Sequence, residues 1–370
     1  MIRRPPRSTR KESSAASDVY KRQTLYDSVR GFGANKELTP NNTFTEGDTG
    51  GGKPNTDVWG YVNSNNFNGF TVNKGTNSTP SVVNSNGIGY VSWCWKAGGN
   101  KNTFNVDDVG YVSAAAAGLD GGSRTPTAAS VGTRQGFSII KWTGNRANTT
   151  VSHGLNSAVK FYFVKNLDQG SDWLTWHTGL SGGGTGYIRL NTTGHSGTAA
   201  SPWNSTIPTN SVFSLGADSE SNGDGDDMIA YLWSDVPGLQ KFGTYTGNGQ
   251  QNNFIELGFR PAIVWVKRAI ANSSPDTSTN YTSWVIMDST RLSYNGLTPN
   301  HLFANKSINE GYRGNGSGSS NADITLEPLS NGFYLNGPGT ETNANTGTYI
   351  YCAWAEAPSF NLYGAQSNAR

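Results

Sequence analysis

One stretch of this chain is written twice, and that repetition constrains the fold more than any other feature. Gly136-Phe137-Ser138-Ile139-Ile140-Lys141-Trp142-Thr143-Gly144-Asn145 is followed by an apolar run, Phe161-Tyr162-Phe163-Val164-Lys165. About a hundred residues later the order returns as Lys241-Phe242-Gly243-Thr244-Tyr245-Thr246-Gly247-Asn248, then Ile263-Val264-Trp265-Val266-Lys267. Self-similarity at such a spacing marks a duplicated structural unit, so the fold has to be read copy by copy.

Aligning the copies fills in the rest of the unit. His153-Gly154-Leu155 matches Leu257-Gly258-Phe259, Trp173 to His177 matches Trp284 to Asp288, and Val212 to Leu215 matches Gly332 to Leu335. Each copy closes on a Gly/Asn-rich turn and a strand ending in tryptophan, Met228 to Trp233 or Tyr349 to Trp354. A third copy lies upstream: Leu25 to Arg30 reads like Ile286 to Arg291, Gly69-Phe70 like Gly332-Phe333, and Tyr90 to Trp95 like Tyr349 to Trp354. It begins halfway through the unit, so the chain reads as a fragment.

Strand signals dominate each copy. Short apolar and aromatic runs are bounded by Gly, Asn and Thr turns, and the runs at Phe161 and Ile263 are apolar at every position, as central strands covered on both faces require. The expected fold class is all-β: tandem antiparallel β-sandwich repeats, jelly-roll or lectin-like, seven or eight strands each, with the first copy truncated. The expected organisation is a non-native segment at 1–23, a truncated repeat at 24–96, a linker at 97–135, repeats at 136–237 and 238–358, and a tail at 359–370. The Ala114 to Ala117 run is too short to persist as an isolated helix.

Composition settles what the surface is made of. Charged residues are only 15%, while 47 Gly and many Asn, Thr and Ser fill the polar positions, so the surface is amide- and hydroxyl-rich rather than ionic. No apolar run reaches membrane-spanning length, which argues against membrane insertion. Residues 1–23 share nothing with the repeats and resemble translated sequencing-adapter read-through. They carry Arg3, Arg4, Arg7, Arg10, Lys11, Lys21 and Arg22 but only Glu12 and Asp18 as acids. Removing these seven from 28 basic residues and two from 26 acidic ones turns the formal +2 into −3, and with it goes any argument for a nucleic-acid partner. Aligning Trp95 with Trp354 puts Cys94 and Cys352 on opposite faces of equivalent strands, so two small apolar thiols are expected rather than a disulfide.

The set Gly136-Phe137-Ser138-Ile139-Ile140, Thr143-Gly144-Asn145, His153-Gly154-Leu155, Val164-Lys165-Asn166 and Tyr245-Thr246-Gly247-Asn248-Gly249 resembles a repeat domain of unknown function in structural proteins of marine tailed phages. Val91 to Gly99 and Tyr349 to Trp354 fit the same pattern. The resemblance implies a virion component of tail-fibre or adhesin type, extracellular once released, contacting other virion proteins and assembled as a homotrimer. It brings no catalytic residues with it.

Candidate chemistry is sparse. Asp218, Glu220, Asn222, Asp224 and Asp226 partly mimic a calcium loop, with ligands at alternate positions and a glycine at the turn. The closing glutamate is replaced by Ile229, and the equivalent turns at Asn84 to Gly89 and Asn343 to Gly347 are uncharged, which favours a solvated hairpin turn over a calcium site. His153, His177, His195 and His301 lack a second ligand at metal spacing. Asp27-Ser28-Val29-Arg30 and Asp288-Ser289-Thr290-Arg291 read as turns capped by their aspartates. A sugar-binding platform needs an aromatic face flanked by amides; Trp203 with Asn204 is the best local set, the alternative being that Trp203 covers its own core. Strand-borne acids never fall at i and i+2, so a glycosidase pair is unsupported locally. The expectation is a non-enzymatic virion structural or host-attachment module without a cofactor, its partner a cell-surface glycan or receptor; a secreted glycan-degrading enzyme or a bacterial surface adhesin is the alternative.

Overall fold

The computed structural model describes residues 23–48, 59–66, 69–76, 83–270, 283–291, 301–308, 310 and 326–357. The expectations for residues 1–22 and for the tail lie outside these. The chain is nearly all β, as expected. Its strands are β1 (Tyr61–Asn66), β2 (Gly69–Asn73), β3 (Phe104–Val106), β4 (Val109–Tyr111), β5 (Ala128–Gly132), β6 (Phe137–Thr143), β7 (Thr149–Ser152), β8 (Val159–Asn166), β9 (Leu174–His177), β10 (Gly186–Arg189) and β11 (Gly197–Thr198). They continue with β12 (Val212–Leu215), β13 (Asp227–Ser234), β14 (Gln240–Thr246), β15 (Asn253–Glu256), β16 (Pro261–Ile270), β17 (Val285–Asp288), β18 (Leu302–Phe303), β19 (Leu326–Leu329), β20 (Gly332–Leu335) and β21 (Thr348–Ala355). Among the described residues one short α-helix, α1 (Ser219–Asn222), precedes β13, and a 3-10 turn spans Gly183–Thr185. No described helix is long and apolar enough to cross a membrane.

The second and third copies fold alike, down to the register. The order β6-β13-β8-β9-β10 in one is β14-β21-β16-β17-β18 in the other, and a small second sheet, β7-β12 or β15-β20, covers it. Trp233 pairs with Phe137 and Phe161, and Trp354 with the equivalent Gln240 and Ile263. The two uninterrupted apolar runs are the strands beside β13 and β21. Alternate side chains explain why no polar position is tolerated: Tyr162 and Val164 enter the interior of their own sandwich, while Phe161 and Phe163 enter a core shared with the other copies.

A lock with the same geometry closes both sandwiches. Asn222 donates from its amide to Asn145 Oδ1 (2.8 Å) and to the Ala147 carbonyl (2.8 Å), and its own Oδ1 accepts from the Asn145 N–H. In the third copy Asn343 makes the same set with Asn248 Oδ1 (3.0 Å), the Gln250 carbonyl (2.7 Å) and the Asn248 N–H. The Thr-Gly-Asn signature is therefore a backbone lock: its asparagine meets this amide, and its glycine lies so close to the facing turn that a Cβ at Gly144 would meet the Gly223 carbonyl at 2.0 Å.

Residues 97–135, read from the sequence as a linker, supply β3, β4 and β5, with β5 pairing antiparallel to β6 so that the main sheet of the second copy grows to nine strands. Ala128, Ala129 and Val131 are small enough to be buried there, a burial that local composition does not announce. The first copy contributes the β1-β2 hairpin and the extended segment ending at Trp95.

The copies close on one another in a ring. Trp95, Trp233 and Trp354, at equivalent positions of the three copies, form a triangle with ring centroids 6.2, 6.1 and 5.3 Å apart. A second set of equivalent positions repeats around it. Trp173 of the second copy donates to the Asn42 carbonyl of the first, Trp284 of the third to the Arg189 carbonyl of the second, and Gln23 of the first to the Phe303 carbonyl of the third. One chain thus carries an internal pseudo-threefold axis with an aromatic core along it.

Candidate functional site

Trp203 is fully buried, not a surface platform. It meets Tyr162 edge-on at 4.9 Å and donates its indole N–H to the Gly186 carbonyl at 3.0 Å. The sequence could not separate the two readings because Pro202-Trp203-Asn204 is polar and turn-like on either side; burial decides for the core. Asn204 stays exposed, in the left-handed region at φ 49°, where asparagine is tolerated best among non-glycine residues.

The acidic loop does not converge. Asp218 caps α1 by accepting from the Glu220 N–H at 2.8 Å, the Asn222 amide points inward as the lock described above, and Asp226 accepts from the Asn166 amide at 2.7 Å. Asp224 is exposed. Among the described residues no group of three or more His, Cys, Asp or Glu is placed to hold a metal ion. Alternation along the loop is lost because α1 winds its first four residues into a helical turn, which sends the side chains in different directions.

The histidines and the Asp-x-x-Arg turns have inter-copy and scaffold roles. His177 Nδ1 accepts from the Gly179 N–H (3.0 Å), which leaves Nε2 to donate to the Tyr351 carbonyl of the third copy (3.1 Å). His153 is held similarly between the Leu155 N–H and the Thr209 carbonyl. Burial lowers both imidazoles to about 4, so both are neutral at physiological pH. His301 is also buried and lowered to about 4, and neither ring nitrogen has a hydrogen-bond partner among the described residues. Asp27 accepts from the N–H groups of Val29 and Arg30, from Arg30 Nε at 2.6 Å, and from the hydroxyl of Tyr231 in the second copy at 2.6 Å. Asp288 accepts from Thr290, Arg291 and, across the ring, Trp93 of the first copy at 3.3 Å. The turn expectation holds, and the structure adds its purpose: Asp27, His177 and Asp288, at one alignment position, each bond the next copy.

One constellation was invisible in the sequence. Arg189 at the end of β10 is ion-paired with Asp172 (Nε to Oδ2, 2.7 Å), donates to Glu220 on α1 (3.2 Å), lies 5.3 Å over the ring of Tyr187, and is partly exposed. Asn191 orients Asp172 from its other oxygen at 2.7 Å. Partial burial holds Glu220 above the usual carboxylate range, against the opposing pull of Arg189. This is the described surface cluster where two carboxylates meet beside an aromatic ring. The shared guanidinium donates a charge-assisted hydrogen bond to Glu220 and is ion-paired with Asp172, clamping β10 to α1. Only the fold could place Asp172, Arg189 and Glu220 together, since no short motif links them.

Fold and residues together define a class: a repeat protein of β-sandwiches whose copies close around an internal pseudo-threefold axis. The chain belongs to the family of the domain of unknown function DUF7483, whose model matches residues 11–358. That span takes in residues 11–23 of the amino-terminal segment. No curated protein and no solved structure matches the chain.

Proposed function

We propose that this protein is a non-enzymatic structural or host-attachment module of a phage virion, a rigid stem that presents surface loops and aromatic faces to a cell-surface glycan or receptor. The carrying observation is the ring itself. Three copies joined by hydrogen bonds at the equivalent positions Asp27, His177 and Asp288, around a triangle of tryptophans, make a scaffold cross-braced between its copies. Rigid scaffolds with variable loops are how sandwich proteins carry binding sites. With Trp203 buried, the aromatic surface for a sugar moves to Phe254 and Tyr334, cross-strand neighbours on the outer face of the small third-copy sheet with ring centroids 5.4 Å apart. The homotrimer implied by the resemblance would set three such pseudo-trimers side by side.

The test is glycan-array binding by the full chain, with light scattering on the same sample. Selective binding that is lost in Phe254→Ala supports attachment; a protein that binds no glycan and no cell surface overturns the attachment reading and leaves a spacer. The second reading, a glycan-degrading enzyme, is favoured by the Asp172–Glu220 pair alone. Turnover of a bound glycan, abolished in Glu220→Gln, would establish it.

A further inference from the structure

The outer face of the small sheet is where the second and third copies differ most. In the second copy its outward positions are Thr150, Ser152 and Ser214, and the last two are buried. Residues 121–124 run beside β7 there: the Ser123 N–H donates to Thr150 Oγ1 at 2.9 Å, and the Thr150 N–H donates back to Ser123 Oγ at 2.9 Å. In the third copy a short turn joins β13 to β14 in place of that segment, and the same positions carry Phe254, Glu256 and Tyr334.

Those side chains form a corner of two rings between two carboxylates. Ile255, Phe333 and Leu326 enter the third-copy core, so their strand neighbours Phe254, Glu256, Tyr334 and Glu327 point outward. Register puts Phe254, Tyr334 and Glu327 in one cross-strand row, with Glu256 two residues beyond Phe254 on the same face. Phe254 is 40% exposed, and its ring stands at 78° to that of Tyr334. Gly332 makes room for it, since a Cβ there would lie 2.9 Å from Phe254 Cε2; the second copy has Val212 at this position. Asn336 donates to Glu327 Oε2 at 3.4 Å. The cations nearby are engaged with other groups: Lys241 donates to the Glu256 main-chain carbonyl at 3.0 Å, and Arg260 to Glu356 and to the Pro328 carbonyl.

We propose that this corner binds an amino sugar, a glycan unit whose amine is not acetylated. The inference rests on the attachment reading and names the ligand class for the same aromatic face. A ring face attracts a cation placed within about 6 Å of its centroid, and also packs against the apolar C–H face of a sugar. Ionised carboxylates only accept hydrogen bonds, so Glu256 and Glu327 match an ammonium and the hydroxyls beside it. The same charges repel a carboxylated or phosphorylated sugar, and acetylation removes the cation that the corner complements.

The probe is an oligomer of β-linked glucosamine, titrated calorimetrically into the full chain at about pH 6, below the ordinary pKa of an amine. Its fully N-acetylated counterpart and an oligomer of a uronic acid are titrated in parallel. The glucosamine oligomer is expected to bind at least about tenfold more tightly than the acetylated one, and the uronic acid not at all. Glu256→Gln with Glu327→Gln keeps the shape and removes the charge, so it should bring the first two affinities together. Phe254→Ala should abolish binding of both, with the melting temperature unchanged. Equal affinities in the wild type, a preference that survives the double glutamine variant, or binding that survives Phe254→Ala overturns the amino-sugar assignment. Tight binding of the acetylated oligomer at Phe254 would overturn it while leaving glycan attachment intact; an absence of binding to every oligomer and to a glycan array would overturn both.

Discussion

Asp27 and Tyr231 belong to different copies of the repeat and meet at 2.6 Å, the phenol donating to a carboxylate that already binds Arg30. All of these groups are buried, so the hydrogen bonds across the ring operate where water cannot substitute for either partner.

Removing Asp27 takes the Nε partner from the buried Arg30 guanidinium and leaves it, among the described residues, Glu46 as its one remaining carboxylate, at 3.2 Å. Asp27→Ala is expected to cost about 3–5 kcal/mol, the range for breaking one side of a buried ion pair. Tyr231→Phe removes one hydrogen bond and should cost about 1–3 kcal/mol. Chemical denaturation of both and of the double variant checks this: additive effects would show that the two residues do not interact.

Trp265 lies in the shared core, 6.3 Å from Trp95 and 5.7 Å from Trp354 between ring centroids. Trp265→Ala should destabilise the protein by about 3–5 kcal/mol. A melting temperature equal to that of the wild type would contradict the placement of β16 at the centre of its sheet.

Stability should fall on acidification through the histidines. His177 titrates at about 4 in the fold against an ordinary 6.5, so the unfolded chain binds the proton first and stability is lost as pH drops from 6.5 towards 4. Glu341, raised by burial to about 7, works in the opposite direction, so the measurement is a difference. Relative to His177→Gln, which can keep both hydrogen bonds without titrating, the wild type should lose about 3 kcal/mol between pH 7 and pH 4. A pH-independent difference would refute the neutral, buried assignment.

The two locks should respond alike. Asn222→Ala and Asn343→Ala each leave buried backbone groups without their partner and should each cost at least about 2 kcal/mol. The neighbouring acids are committed to a helix cap, Asn166 and Arg189, so millimolar calcium should leave the melting temperature unchanged. A calcium-dependent rise would show that the loop rearranges into a binding site.

Part of this was legible from the residues. The duplication, the central position of β8 and β16, the turn role of Asp27 and Asp288 and the absence of a disulfide all follow from patterns within a few residues, or from matching one copy to another. The strands at 97–135 were not legible, because Ala128 to Gly132 carries neither alternation nor a strong apolar run and becomes a strand only by pairing with β6.

The sequence by itself determined the unit: its strands, their order, and which positions are equivalent. Periodicity and repetition report how each element is buried within its own copy. The tertiary structure alone decided how the copies meet: the tryptophan triangle, the burial of Trp203 and the Asp172–Arg189–Glu220 cluster. Those depend on distances between residues far apart in the chain, set by how three twisted sheets pack around one axis, and no short-range pattern encodes them.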